Sequence, residues 1–182
     1  TRTNHKVGRA SALGVVAASE DTNIPLYKVA VLMQMTWPGA PTLYYGDEAG
    51  VCGFTDPDNR RTYPWGNADY PLVDYHRDMI MVHKCSSALR RGSFKFLKRM
   101  KFISYGRFNE QERYVVAVNV GAETLEADVP VYLAEVADGF MVQAMLTNEK
   151  GYSIMPTKYA VKDGMMHVSL TANSGMVFKQ EV

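Results

Sequence analysis

Charged and aromatic side chains are concentrated in one stretch of the sequence, residues 46–70. Carboxylates and guanidinium groups bind polar ligands through charge-assisted hydrogen bonds, and aromatic rings add apolar contact area. The stretch is predicted to be irregular, and a loop of this length inside a compact domain is usually functional. The residues that could carry chemistry are Asp47, Glu48, Asp56, Asp58, Arg60 and Arg61, interleaved with Phe54, Tyr63 and Trp65.

The elements predicted around this loop place it at the end of a strand. An apolar helix over residues 25–35 ends before Pro38 and Gly39, because proline cannot continue a helix and glycine suits the turn. The short apolar run 42–45 indicates a buried strand. A second helix, residues 71–91, follows the loop. Helix, strand, loop and helix form one step of an alternating α/β architecture, in which such a loop carries the ligand.

From residue 93 onward, short β-rich runs alternate with turn signals, which is typical of an antiparallel β-sandwich. The pair Asp163-Gly164, between two strand-like runs, predicts a hairpin. We therefore place a domain boundary near Gly92. The other predicted strands are residues 101–107, 113–120, 124–129, 140–146, 165–170 and 176–179.

Two linked motifs occur in order around the loop. Their residues are Pro38-Gly39-Ala40-Pro41 with Tyr44-Tyr45-Gly46-Asp47-Glu48, then Asp56-Pro57, Arg60-Arg61 and Pro64-Trp65. Together they resemble the eighth barrel strand and following loop of the α-amylase family, glycoside hydrolase family 13, most of all its neopullulanase, cyclomaltodextrinase and maltogenic amylase branch. The resemblance implies an α+β fold. Residues 1–92 would be the carboxyl-terminal portion of the (β/α)₈ catalytic barrel, with its last strand and flanking helices, and residues 93–182 a carboxyl-terminal antiparallel β-sandwich.

The resemblance also implies an activity for a longer parent protein, since a whole barrel needs about 200 residues or more. The parent would hydrolyse α-glucosidic bonds in maltodextrins or starch-like glucans by a retaining mechanism. The family's nucleophilic Asp and acid/base Glu belong to earlier barrel strands and match no position here. We therefore expect no catalytic residue, a silent fragment and no cofactor. The expected partners are a maltooligosaccharide or starch-like glucan, the missing amino-terminal barrel portion, and a second copy through exposed barrel faces.

Three residues are candidate substrate contacts through the same resemblance. Asp56 and Arg60 would hydrogen-bond a donor-side glucose near subsite −2. The alternative is a surface ion pair that only stiffens the loop, worth about 0–1 kcal/mol. His5 would bind the sugar in subsite −1 as part of an Asn-His-Asp motif, although Lys6 stands where that Asp belongs. Either the motif is genuine and disabled, because a cation opposes the positive charge of the transition state, or the match is accidental.

Other residues of the loop have competing interpretations. Asp47 and Glu48 are adjacent, so their side chains tend to point to opposite sides of a strand, and we favour a structural role over a catalytic pair. The spacing of Asp56 and Asp58 fails the pattern of a calcium-binding loop, and we expect no metal. Trp65 and Tyr63 are either sugar platforms or packing beneath the loop.

Composition narrows the possible partners and cellular locations of the protein. The net charge of +1 in 182 residues argues against nucleic acid or an anionic membrane as partner. No apolar run reaches 18 residues, so we expect no membrane span. Two cysteines give no sign of a secreted disulfide scaffold, and the compartment stays open, with the cytoplasm slightly favoured. The alternative functions are a non-catalytic carbohydrate-binding or structural β-sandwich module, and an amylase relative that has lost activity.

Overall fold

A computed structural model describes residues 22–53 and 60–181 of the chain. These residues cluster into two compact units. The smaller unit contains residues 22–24 and the described part of residues 42–77, whereas the larger contains Pro25–Pro41 and residues 78–181. The predicted boundary near Gly92 stays a prediction. The helices of the described chain are α1 (Ile24–Thr36), α2 (Tyr70–Lys84) and α3 (Ser87–Arg91), with short 3₁₀ turns at Asp47–Ala49 and Val131–Ala134.

One antiparallel sheet dominates the larger unit, in the region where the sequence predicted an antiparallel β-sandwich. The strands are adjacent in the order β1-β2-β3-β9-β5-β7-β8-β4, with β6 paired to β5. Strand β9, the last in sequence, lies in the middle of the sheet, where it pairs with both β3 and β5. The strands are β1 (Ser93–Lys98), β2 (Ile103–Phe108), β3 (Arg113–Asn119), β4 (Leu125–Pro130), β5 (Gly139–Asn148), β6 (Gly151–Ser153), β7 (Lys158–Lys162), β8 (Met165–Leu170) and β9 (Ser174–Gln180).

The two ends of this strand order approach each other, so the sheet nearly closes on itself. Lys98 at the end of β1 donates from Nζ to the carbonyl of Asp128 in β4 at 3.2 Å. Lys101 donates in the same way to the carbonyl of Glu126 at 3.4 Å. Lysines at a sheet edge also discourage pairing with another chain. The predicted sandwich is therefore one continuous sheet folded around its own core.

Alternate residues of each strand point into this folded sheet, since side chains on a strand alternate between its two faces. Their burial leaves polar residues on the opposite face of β4 and β8, for example Asp128 and His167, which are hydrogen-bonded to each other at 3.0 Å. The core is mostly aliphatic and includes Val115, Ala117, Val129, Met141, Met166, Val168, Met176 and Phe178.

The outer face of the central strands is buried as well. Tyr105, Val116 and Val177 lie side by side on β2, β3 and β9, and each is fully buried. Helix α1 covers them: a Cβ added at Gly175 would lie 3.2 Å from the side chain of Leu32. The fit of a glycine against a helix explains why α1 can lie so close to the sheet.

The strand predicted for residues 42–45 is wrong. These residues are irregular in the structure, and Tyr44 and Tyr45 are 48% and 47% exposed. A strand needs neighbouring strands to bond its N–H and C=O groups, and the barrel strands that would serve are not part of the described chain. The barrel portion of the fold prediction consequently stays a prediction.

The single helix predicted over residues 71–91 is also wrong, because the chain breaks at Ser86 and starts again. Ser86 has extended backbone angles, and its hydroxyl accepts a hydrogen bond from Leu89 N as the cap of α3. Glu112, in the turn between β2 and β3, accepts bonds from the backbone N–H groups of Ser87 and Ala88 at 2.8 and 3.2 Å. A distant carboxylate thus supplies acceptors for the free amides of a new helix start.

Most strand predictions are confirmed, including residues 165–170, whose bounds match β8. The hairpin at Asp163-Gly164 is confirmed as well. Both residues have positive φ, 52° and 71°, and Lys162 pairs with Met165 across them, which defines the mirror-image turn that favours this residue pair. Sequence analysis missed β1 and the three-residue β6.

Glu112 gives a test of the fold. Burial alone would raise its pKa, but hydrogen bonds from Lys179, Ala88 N, Ser86 and Ser87 outweigh burial and lower the pKa to about 2. We expect Glu112→Gln to lower the free energy of unfolding by about 2 kcal/mol at pH 7. Because the pKa is lower in the folded than in the unfolded state, this stabilisation is complete above about pH 5 and disappears as the pH falls towards 2. Urea unfolding at several pH values measures it.

The matched control is Glu110→Gln, which changes an exposed carboxylate two residues away. It should leave stability within about 0.5 kcal/mol of wild type. Equal effects of the two variants, or a loss in Glu112→Gln that does not shrink at low pH, would contradict this account of the α3 cap.

Candidate functional site

We call residues 42–53 and 60–69 the rim segment. Its centre is a tight turn around Asp47–Ala49, flanked by Gly46 and Gly50 with φ of 90° and 75°. The turn is closed by the amide of Val51, which donates to the carbonyl of Gly46 at 2.9 Å. A Cβ at Gly46 would lie only 2.9 Å from the Val51 side chain. Glycine is required there by both its backbone angle and its packing.

The two adjacent carboxylates bond within the rim segment. Glu48 accepts a hydrogen bond from the amide of Gly46 at 3.0 Å and another from the hydroxyl of Tyr63. Burial raises the pKa of Asp47, partly offset by a backbone hydrogen bond from Tyr44. Both carboxylates thus have partners inside the rim segment, which agrees with a structural role for this pair.

The two sequence motifs are joined by one side chain. Tyr45, from the first motif, donates its hydroxyl proton to the carbonyl of Arg61, from the second, at 2.9 Å. Asp69 adds a second connection, since its amide donates to the carbonyl of Ala49 at 3.1 Å. The carboxylate of Asp69 accepts from Leu72 N at 3.1 Å and so caps the start of α2. These bonds join the two parts of the rim segment and connect it to the start of α2.

Aromatic rings occupy the surface of the segment. Trp65 is 83% exposed and lies 4.6 Å from the ring of Tyr63, centroid to centroid. Tyr44 and Tyr45 form a second pair at 4.8 Å. An exposed indole is available to stack on a ligand, whereas a ring packed beneath the loop would be covered. The exposure of Trp65 favours the platform interpretation.

A surface cleft of about 470 Å³ lies beside this turn. Its size falls within the range of small-molecule sites, and peptide groups together with Arg61 make its lining polar. Sequence reasoning did not assign Arg61 to the site, although its place beside Arg60 in the second motif was the available signal. The cleft is lined by Ala49, Gly50, Val51, Cys52, Arg61, Thr62, Pro64 and Asn67.

The predicted substrate contacts are only partly within the described residues. Arg60 is exposed, directly beside Arg61 of the cleft. Asp56 and His5 lie outside the described residues, and so does Lys6. Arg60 is not among the residues that line the cleft, and the roles of Arg60, Asp56 and His5 as substrate contacts stay predictions.

Two features are absent from the described part of the chain, a metal-binding cluster and a membrane-spanning helix. Within residues 22–53 and 60–181, no group of three or more His, Cys, Asp or Glu side chains is arranged to hold a metal ion. Over the same residues, none of the helices has both the length and the apolar character that crossing a membrane requires.

Comparison with known proteins identifies the relationship. No protein-family model matches the chain. Amylopullulanase of Thermoanaerobacter thermohydrosulfuricus is 30% identical over 162 residues, which cover 82% of this chain and 11% of that protein. Cyclomaltodextrinase of a Bacillus species is 38% identical over 97 residues, covering 50% of this chain and 17% of that protein. Matches also include a neopullulanase and a maltogenic α-amylase. The chain belongs to the α-amylase family, glycoside hydrolase family 13.

The solved structures agree with this assignment. An Anoxybacillus α-amylase superimposes with a TM-score of 0.74 at 22% identity, covering 97% of this chain and 36% of that one, and at this identity the likeness shows the fold. The chain spans only 8–12% of the length of the amylopullulanases that it matches. It therefore corresponds to a limited part of an α-amylase-family protein, and the predicted family resemblance is confirmed.

The bond between the two motifs can be tested with Tyr45→Phe. The variant removes the hydroxyl that donates a hydrogen bond to Arg61 O. This loss should lower the stability of the rim segment locally by about 1 kcal/mol. We expect hydrogen exchange across residues 61–67 to become about fivefold faster, with the sheet unchanged. Tyr132→Phe, at a residue that is 57% exposed, is the control for loss of a surface hydroxyl. Unchanged exchange in Tyr45→Phe would show that the motifs are held by other contacts.

Proposed function

We propose that this chain is the carboxyl-terminal part of a glycosidase that hydrolyses α-glucosidic bonds in maltodextrins or starch-like glucans by a retaining mechanism. The observation that supports it most strongly is the junction of the two motifs, where the Tyr45–Arg61 bond brings the turn, the cleft and Trp65 into one surface. The names of its relatives, amylopullulanase and cyclomaltodextrinase, point to the same class of glucan substrates.

The rim segment would bind sugar rather than cleave it. Glucose rings present an apolar face that stacks on indole, and Trp65 offers such a surface. Their hydroxyl groups suit charged donors and acceptors, which Arg60 and Asp56 would supply near subsite −2. His5 would serve subsite −1. Each of these roles follows the family resemblance.

Cleavage needs two carboxyl groups on either side of the glycosidic bond, about 5 Å apart in a retaining enzyme. Asp47 and Glu48 do not suit this task because they are neighbours in one turn, and Glu48 is bonded to Gly46 N and Tyr63. The nucleophile and the acid/base would come from the amino-terminal barrel portion of the parent. The chain alone is then catalytically silent, and self-association through uncovered barrel faces is a further expectation.

The first test uses the purified chain. Incubation with maltodextrins should release no reducing ends above background, because the chain lacks the family's catalytic carboxylates. Electrophoresis in gels containing soluble starch is run in parallel. Turnover by the pure chain would contradict the proposal. Strong retardation that Trp65→Ala abolishes, together with an inactive parent, would favour the carbohydrate-binding module, for which the exposure of Trp65 is the specific observation.

The second test uses the parent with its barrel portion. Arg60→Met and Trp65→Ala should each lower kcat/KM for maltodextrins about tenfold, mainly through KM, because they remove uniform binding rather than transition-state contacts. Arg77→Met is the matched control, since Arg77 is an exposed arginine whose partner is Asp74 on its own helix. If Arg60→Met and Arg77→Met behave alike, Arg60 belongs to a surface ion pair and not to the site.

A further inference from the structure

Arg107 of β2 is the largest fully buried side chain outside the inner core, with 1% of its surface exposed. Its guanidinium donates to three backbone carbonyls. Nη1 bonds Thr36 O at 2.8 Å, Nη2 bonds Gly92 O at 3.2 Å and Nε bonds Ser93 O at 3.4 Å. A planar fork can reach three acceptors at once, which a lysine cannot.

The acceptors of Arg107 explain why a cation is tolerated there. Thr36 is the last residue of α1, and the final carbonyls of a helix lack partners within the helix and carry partial negative charge. Burial lowers the pKa of Arg107, but arginine remains protonated in proteins. The guanidinium therefore caps the carboxyl end of α1 from the neighbouring sheet.

Two further contacts hold the same helix end. The Thr36 hydroxyl donates to Leu32 O at 2.7 Å, so Tyr105 donates its own proton to Thr36 Oγ1 at 2.6 Å. The ring of the next residue, Trp37, packs against those of Tyr105 and Phe94, with centroid-to-centroid distances of 5.2 and 4.9 Å. We call Arg107, Tyr105 and Thr36 the clasp.

The clasp is placed where the family motif begins. Trp37 follows Thr36 directly, and Pro38-Gly39-Ala40-Pro41 leads into the rim segment at residue 42. Because the clasp fixes Thr36 and the direction in which the chain leaves α1, it also fixes the position from which residues 38–41 start. Loss of the clasp would let the helix end fray and the Pro38–Pro41 peptide start from several positions.

We propose that Arg107, supported by Tyr105, is a positioning residue for substrate binding in the parent glycosidase, acting by fixing the exit of α1 into the Pro38–Pro41 motif. The inference rests on the proposed function for its kinetic consequence. The clasp itself lies wholly among residues of the larger unit, so it can be tested in this chain as well as in the parent.

The first arm uses the chain in a Trp65→Phe background, which leaves Trp37 as the only tryptophan. Arg107→Met and Tyr105→Phe should each raise acrylamide quenching of Trp37, by about twofold in Arg107→Met, because the helix end opens locally. The control is Asn119→Ala, which removes another buried polar group of the same sheet that bonds the carbonyls of Glu123, Leu170 and Thr171. If acrylamide quenching of Trp37 rises no more in the two clasp variants than in Asn119→Ala, the clasp does not hold the end of α1.

The second arm measures the parent at a temperature where all variants are folded. Arg107→Met should lower kcat/KM for maltoheptaose about tenfold or more, since small misplacement of a binding segment is costly. Tyr105→Phe should have a smaller effect in the same direction, and it keeps the test valid if Arg107→Met does not fold. Asn119→Ala, matched for loss of stability, should retain wild-type kinetics.

The outcomes separate the two proposals. A wild-type parent without α-glucan hydrolysis overturns the proposed function, while the quenching arm still decides whether the clasp holds Trp37. An active parent in which the clasp variants match Asn119→Ala overturns the positioning role alone. An Arg107→Lys variant that restores kinetics fully would also overturn it, because one ammonium group cannot bond three carbonyls.

Discussion

The hydrogen bonds from Arg107 in β2 join it to two other parts of the chain, the end of α1 and the start of β1. An apolar side chain at this position would leave the carbonyl of Thr36 buried without a partner, at a cost of about 1–3 kcal/mol. Helix α1 can then be buried on the outer face of the sheet while the carbonyl of its last residue, Thr36, keeps a hydrogen-bond partner. The inner face holds the main hydrophobic cluster, and the clasp attaches the end of α1 to the outer face.

The parts of the fold that sequence predicts well are those fixed by local chemistry. Asp163-Gly164 allows positive φ at both central residues, so its hairpin is readable from two letters. The break at Ser86 is not readable in this way, because Glu112, 26 residues further along, supplies the acceptors that start α3. Strand β1 was missed for another reason: it forms a local hairpin with β2, but the connecting residues 99–102 contain no glycine, proline, asparagine or aspartate to signal the turn.

The rim segment contains both kinds of feature, those that sequence predicts and those that depend on how the chain folds. The motifs identify the family from sequence alone, whereas the role of Arg60 as a substrate contact stays a prediction. The Tyr45–Arg61 bond and the contribution of Arg61 to the cleft depend on how the loop folds back, which residue spacing does not encode. The apolar run at residues 42–45 satisfies the pattern of a strand, but pattern alone cannot provide the neighbouring strands that its backbone requires.

The turn and the strand of this motif therefore depend on different things. The turn forms from contacts inside the segment, through the positive φ of Gly46 and Gly50 and the bonds of Glu48 to Gly46 N and Tyr63. The strand depends on partners supplied elsewhere. The local shape of the turn is therefore set by residues of the segment itself and does not need barrel strands. The run at residues 42–45, in contrast, can become a strand only where neighbouring strands supply partners for its backbone.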